Sequence, residues 1–204
     1  MGVNDTMTKT IAVTGGKGGT GKTLIAVNLA VQLQREGNSV LLIDCDTENP
    51  NSNILLGKEL DDEDVFKKPV NIFKPEFDAE ACTRCGQCRD ACYRHAILQF
   101  SDQIPSLMEH MCSGCETCMR ICPVDAIYGA KRQIGSSYIV KNLYESGNPL
   151  DILIGELKEG EAVSVLIVER LLERAAELNS NPDGTEKYDF VILDTAPGAH
   201  CDVE

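Results

Sequence analysis

The stretch that decides the fold is Ile11-Ala12-Val13-Thr14-Gly15-Gly16-Lys17-Gly18-Gly19-Thr20-Gly21-Lys22-Thr23. Its first four residues are an apolar, β-branched run of the kind a buried parallel strand shows. The nine that follow contain G-x-x-x-x-G-K-T over Gly16–Thr23. In that pattern the glycines let successive backbone N–H groups turn inward on phosphate oxygens. Lys22 reaches the terminal phosphates, and the Thr23 hydroxyl serves Mg²⁺. Past the loop, Ala26, Leu29, Ala30 and Leu33 recur at helical spacing up to Gly37. A second apolar run, Val40–Ile43, then ends in Asp44-Cys45-Asp46. Strand, glycine loop, helix and strand form a βαβ unit, which calls for a parallel α/β sheet. Asp194, closing the later apolar run Phe190–Leu193, fits the acidic residue that holds the magnesium.

Outward from this unit the chain changes character and then returns. Eight of its ten cysteines lie in residues 72–131. Cys82, Cys85, Cys88 and Cys92 recur thirty residues on as Cys112, Cys115, Cys118 and Cys122, and Ala96-Ile97 recurs as Ala126-Ile127. A shared offset is the mark of an internal duplication. After it, residues 161–178 carry a wide apolar helical face, and the Phe190 strand follows. The expected organisation is a nucleotide-binding domain over 1–71, an insert over 72–131, and the continuation of the first domain over 132–204. Glu59–Asp64, an acidic run, reads as a solvated linker.

The cysteine spacing C-x2-C-x2-C-x3-C is that of bacterial ferredoxins, in which the fourth cysteine ligates the other cluster. One 4Fe–4S cluster is therefore expected on Cys82, Cys85, Cys88 and Cys122. The second is expected on Cys112, Cys115, Cys118 and Cys92. Zinc sites more often pair two C-x2-C units across a longer spacer. Cys122 is followed by the Pro123 of the pattern, whereas Cys92 is followed by Tyr93.

Composition narrows the class. The 204 residues carry 19 Lys+Arg against 32 Asp+Glu, a net charge of −13. Nucleic acid and anionic membranes need a cationic face, so neither is an expected partner. No apolar run approaches the ~18 residues of a membrane span, and MGVNDTMTKT is not a secretory leader. The chain is therefore expected in a reducing cytoplasm, where ten cysteines point to metal ligands rather than disulfides.

Lys17 adds a second lysine near the start of the loop, and Gly-Lys-Gly-Gly-Thr-Gly-Lys-Thr resembles the MinD/ParA-type P-loop ATPases, with the Mrp proteins and the nitrogenase iron protein among them. The resemblance implies a deviant Walker A loop and a mostly parallel sheet. It also implies a homodimer formed when ATP is bound, with Lys17 reaching the partner's nucleotide. Asp44–Asn51 looks like the family's first switch, in which Asp46 helps to position the attacking water. Asp194–Gly198 looks like the second switch, which senses the γ-phosphate. With the cysteine-rich segment included, the chain resembles the MinD-superfamily ATPases that carry an inserted ferredoxin domain. The phosphate site is thus Gly16, Lys17, Gly18, Gly19, Thr20, Gly21, Lys22 and Thr23 with Asp194 and Gly198. Lys17, Lys22 and Asp46 carry the chemistry, and ATP and Mg²⁺ join the clusters as cofactors.

Two cysteines remain. Cys45 reads as a small buried hydrophobe. Asp194-x6-Cys201 is similar in spacing to the nitrogenase iron protein, where the cysteine binds a cluster shared by two subunits, but no second cysteine is available here for that role. The family continues past the second switch with further strands and the base-recognising segment, so a fragment is expected, with the base unread. The leading functional expectation is an ATPase coupled to electron transfer with a redox partner protein. Its rivals are an iron–sulfur carrier of Mrp type and a nucleotide-regulated ferredoxin-like carrier.

Overall fold

The computed structural model describes residues 7–144 and 147–197. In chain order its elements are β1 (Lys9–Val13), α1 (Lys22–Arg35), β2 (Val40–Asp44), α2 (Ser52–Leu55), β3 (Val65–Phe77), α3 (Gln87–Asp90) and β4 (Ile97–Leu98). There follow β5 (Ser106–Leu107), α4 (Thr117–Arg120), β6 (Ile127–Val140), β7 (Leu150–Leu157), α5 (Ser164–Asn179) and β8 (Phe190–Asp194). The chain divides into two compact units. The first holds residues up to Pro69, Gly135–Leu157 and Ser164 onward; the second holds Val70–Ile134 and Lys158–Val163.

The first unit is built on a mostly parallel sheet in the order β1-β8-β2-β7, with β6 running antiparallel beside β7 and β3 beyond it. Every residue of β2 is buried, as a strand covered on both faces must be, and that explains its unbroken apolar run. On one face, Ala26, Val27 and Ala30 of α1 pack with Val40, Leu42, Ile152, Ile154 and Ile192. Alternation sends Leu41, Ile43 and Leu153, all fully buried, to the other face. There α5 lies close against β7: a Cβ on Gly155 would sit 2.6 Å from Leu171 Cδ1 and 2.9 Å from Ile167 Cγ2. Each fully buried Leu or Ile contributes roughly 1.5–3 kcal/mol, so these two layers carry the unit's stability.

Register places the chemistry. Val13 of β1 and Asp44 of β2 both pair with Asp194 of β8. The loops leaving three parallel strands therefore emerge side by side at the sheet's carboxyl edge, where α/β folds bind ligands. Three strands of this sheet escape the sequence reading. β7 and β6 fill the stretch after the cysteines, and β3 begins at Val65, directly after the acidic run, whose Asp64 pairs with Lys58 at 2.5 Å.

The second unit repeats itself in structure as in sequence. Helices α3 and α4 are offset by thirty residues. So are the left-handed backbone positions: Arg84 with Gly114, Gly86 with Glu116, and His95 with Asp125. Four of these six are not glycine, and each such residue costs about 1–2 kcal/mol. Strain of this kind persists where the surroundings over-determine the backbone. The unit's core is small and largely sulfur: Cys88, Ile97, Cys118 and Ile127, with Phe73, Phe77, Cys92 and Cys122 packed around them.

Candidate functional site

The first site is the loop between β1 and α1. Gly19 and Gly21 take φ of 73° and 84°, a conformation that side chains disfavour, and this lets the loop curl ahead of the helix. Gly21 caps α1 and accepts the Ile25 N–H at 2.9 Å, so the N–H groups of residues 22–24 are left for a ligand at the positive end of a 14-residue helix. Lys22 is buried at the helix start, while Lys17 is exposed, its carbonyl accepting the Thr20 hydroxyl at 3.2 Å. Across from the loop stands the segment after β2. Gly18, Gly19, Lys22 and Thr23 share an open recess with Asp46, Asn49, Asn51, Ile54, Leu55 and Pro197, with about 1010 Å³ of empty space.

Asp44 was not among the expected site residues, yet it builds the rim. Its carboxylate accepts the Ser52 hydroxyl at 2.7 Å, the N–H groups of Ser52 and Asn51 at 3.0 and 3.1 Å, and the Asp46 N–H at 3.1 Å. That ties residues 46–52 to the end of β2 and fixes the backbone that carries Asp46. Burial raises Asp44, and burial together with the Asp44 charge raises Asp46 against the pull of Lys22. The sequence signal for Asp44 is an acidic residue ending a wholly apolar strand, eight residues before a serine.

Asp194 is 1% exposed, and neither of its carboxylate oxygens accepts a hydrogen bond of normal geometry among the described residues. Burial pushes it up to about 6; the neighbouring Thr23 hydroxyl and Lys22 lower it, while Asp44 and Asp46 add to the rise. A buried, unpartnered carboxylate beside the Thr23 hydroxyl is a fitting donor pair for a hard cation. A raised carboxyl pKa stabilises the folded chain fully below the ordinary 3.8, and that contribution is lost as pH climbs to about 6. Asp194→Asn is therefore expected to stabilise the Mg-free protein near pH 7, by up to about 3 kcal/mol. The gain should shrink toward about pH 5 in denaturant unfolding. Gly198 and Cys201 lie outside the described residues, and Cys45 is buried.

The eight cysteines line two recesses in the second unit. Cys82, Cys85, Cys88 and Cys122 line one, with Phe77, Pro105 and Ile127. Cys92, Cys112, Cys115 and Cys118 line the other, with Phe73, Ile97 and Leu107. Each fourth cysteine stands in the recess of the other run. Equivalent thiols share equivalent settings: Cys88 and Cys118 are buried, Cys85 and Cys115 exposed. The Ala96 N–H donates to Cys92 Sγ at 3.4 Å and the Ala126 N–H to Cys122 Sγ at 3.3 Å. Burial pushes the Cys88 thiol up and that of Cys118 up to about 11. Cys115, which burial alone would raise, is drawn below the ordinary thiol value by hydrogen bonds to Thr117 and Ser113.

Among the described residues no three His, Cys, Asp or Glu side chains close on a single metal ion. A cubane asks for something wider. Each thiolate binds a different iron at its own corner, so four sulfurs stand around a recess rather than meeting at a point. Soft donors in sets of four, apolar walls and N–H groups aimed at sulfur fit such a group. Tyr93, where the second motif has proline, is exposed and shares a 3.0 Å hydrogen bond with Ser113. Among the described residues no helix is long and apolar enough to cross a membrane.

A family model described as the CobQ/CobB/MinD/ParA nucleotide binding domain matches residues 11–194. An uncharacterized protein of Methanocaldococcus jannaschii is 32% identical over 199 residues, which is 95% of this chain and 63% of that protein. The chain thus spans less than two thirds of that relative's length. The iron-sulfur cluster carrier protein of Synechocystis sp. is 49% identical over 47 residues, 23% of this chain and 13% of the carrier. The structure titled as the septum site-determining protein MinD complexed with Mg-ADP, from Pyrococcus horikoshii, aligns over 96% of this chain and 52% of its own. Its TM-score is 0.43 at 21% identity.

Proposed function

Because the chain belongs to the CobQ/CobB/MinD/ParA nucleotide-binding domain family, we propose that it is an ATPase bearing two 4Fe–4S clusters, which couples nucleotide-driven switching to electron transfer with a redox partner protein. The observation that carries this reading is the presence of two four-cysteine recesses on the same chain as a phosphate loop. Each cluster, when bound, supplies a one-electron store.

The chain's own residues do the rest. Backbone N–H groups of Gly18–Thr23 and the Lys22 ammonium bind the phosphates, and Thr23 and Asp194 hold Mg²⁺. Asp46, half-buried on the rim, orients the attacking water. No side chain bonds covalently to substrate; catalysis is positioning and charge stabilisation. Lys17 is exposed, as a residue serving the nucleotide of a second copy must be before the ATP-bound homodimer forms. The setting is a reducing cytoplasm.

The test is anaerobic. Reconstituted protein is reduced, and its reoxidation by a one-electron acceptor dye is followed with and without Mg-ATP. The rate is expected to respond to Mg-ATP in the parent and not in Lys22→Ala. Equal rates in all four cases would end the coupling.

A second reading, an iron–sulfur carrier of Mrp type, is favoured by one observation: each recess is lined in part by an exposed thiol, Cys85 and Cys115. If the loaded protein activates an apo-target while losing iron in proportion, this reading replaces the first.

A further inference from the structure

The two recesses are near-duplicates, so their differences carry information. In both, the alanine four residues past the last cysteine of a run donates its N–H to that cysteine's sulfur. The recess of Cys92, Cys112, Cys115 and Cys118 adds two more contacts. Gly114 N–H donates to Cys112 Sγ at 3.4 Å, and Thr117 Oγ1 lies 3.4 Å from Cys115 Sγ. The position equivalent to Thr117, thirty residues earlier, is Gln87.

Charge differs more. Arg132 is 8% exposed and donates from one guanidinium nitrogen to the Cys112 carbonyl at 2.8 Å. Its other terminal nitrogen pairs with Glu161, itself nearly buried. The ion pair is thus a dipole whose positive end rests on a ligand of this recess. Neither Arg132 nor the exposed Asp102, which stands thirty residues before it, lines a recess, but Arg132 reaches one through the Cys112 carbonyl. The remaining charges nearly balance. Arg84 lines one recess and Arg94 the other, both exposed and therefore screened. Glu116, on the rim of the second recess, is paired with Arg120 at 3.2 Å.

Hydrogen bonds to sulfur and buried positive charge both stabilise the more negative, reduced state of an iron–sulfur centre. We infer that the centre held by Cys92, Cys112, Cys115 and Cys118 has the higher reduction potential of the two, and that the Arg132–Glu161 pair sets the difference. An electron shared between the centres then rests on the Cys112 side. This rests on the reading that each recess takes a 4Fe–4S cluster.

The test is a potentiometric titration of the reconstituted full chain followed by EPR, with iron and sulfide counted beforehand. Cys122→Ser, which removes a ligand of the other recess, identifies the signal of the Cys112 centre. That signal should reduce first in the parent. Arg132→Gln strands a buried carboxylate and should move its potential down; Glu161→Gln leaves the guanidinium uncompensated and should move it up. Arg132→Lys, which keeps the charge, should stay near the parent. A merely structural pair would not give opposite signs, so movement in one direction for both, or none, overturns the inference. So does a Cys112 centre that reduces second. A parent chain that takes up no iron overturns the cluster reading as well.

Discussion

Lys22→Ala is expected to lower ATP turnover by about 10²–10³-fold, the usual cost of removing one preorganised charge from a transition state. Lys22 sits at the first position of α1, 9% exposed, and shares its recess with Asp46. It also pulls down the pKa of both Asp46 and Asp194. Removing it takes the cation from the phosphates and leaves Asp44, Asp46 and Asp194 to repel both one another and the nucleotide. Phosphate release under saturating Mg-ATP measures the loss. Iron content should not change, because Lys22 belongs to the other unit. A variant that turns over ATP at the parent rate would take Lys22 out of the reaction.

Cys122→Ser is expected to remove about half of the iron and sulfide and to spare the centre of Cys112, Cys115 and Cys118, the cysteines that precede it in its own run. By chain order Cys122 closes the run that starts at Cys112; in space it lines the recess of Cys82, Cys85 and Cys88. Combination variants make the assignment. Cys92→Ser with Cys112→Ser should lose one EPR signal and keep the other. Cys122→Ser with Cys112→Ser should lose both. If the first pair abolished both signals and the second only one, the ligand sets would follow chain order and the crossed arrangement would be wrong.

What was legible follows from how local each signal is. The phosphate loop could be read because its glycines, lysine and threonine are contiguous and its flanking strands are unbroken apolar runs. The fixed spacing of the thiols predicts two sets of four, and the cysteines line two recesses in those sets. β7 was missed because Asp151 interrupts an otherwise apolar stretch, and a buried aspartate reads as a loop. Here it is neutralised from afar by Lys187 at 2.8 Å, with Tyr188 OH at 2.5 Å. β6 was missed because Lys131, Arg132 and Gln133 fall in its middle. Asp44 was passed over for Asp46 because its work is hydrogen bonding to a backbone seven and eight residues on. Arg132 and Glu161 meet across 29 residues, a pairing no local pattern announces.

The segment Lys158–Val163 belongs to the second unit although the chain on either side belongs to the first. The polypeptide therefore passes between the units at 69–70, 134–135, 157–158 and 163–164. For protein engineering this makes the cysteine-rich unit a graft in two pieces. A contiguous excision at the sequence-expected limits, 72–131, leaves Arg132 and Glu161 behind, and with them the only nearly buried ion pair described in that unit. Transplanting both centres with their electrostatics intact requires two junctions in β-strands and two more around a six-residue loop, so a cassette swap of the cysteines alone is expected to carry the ligands without their tuning.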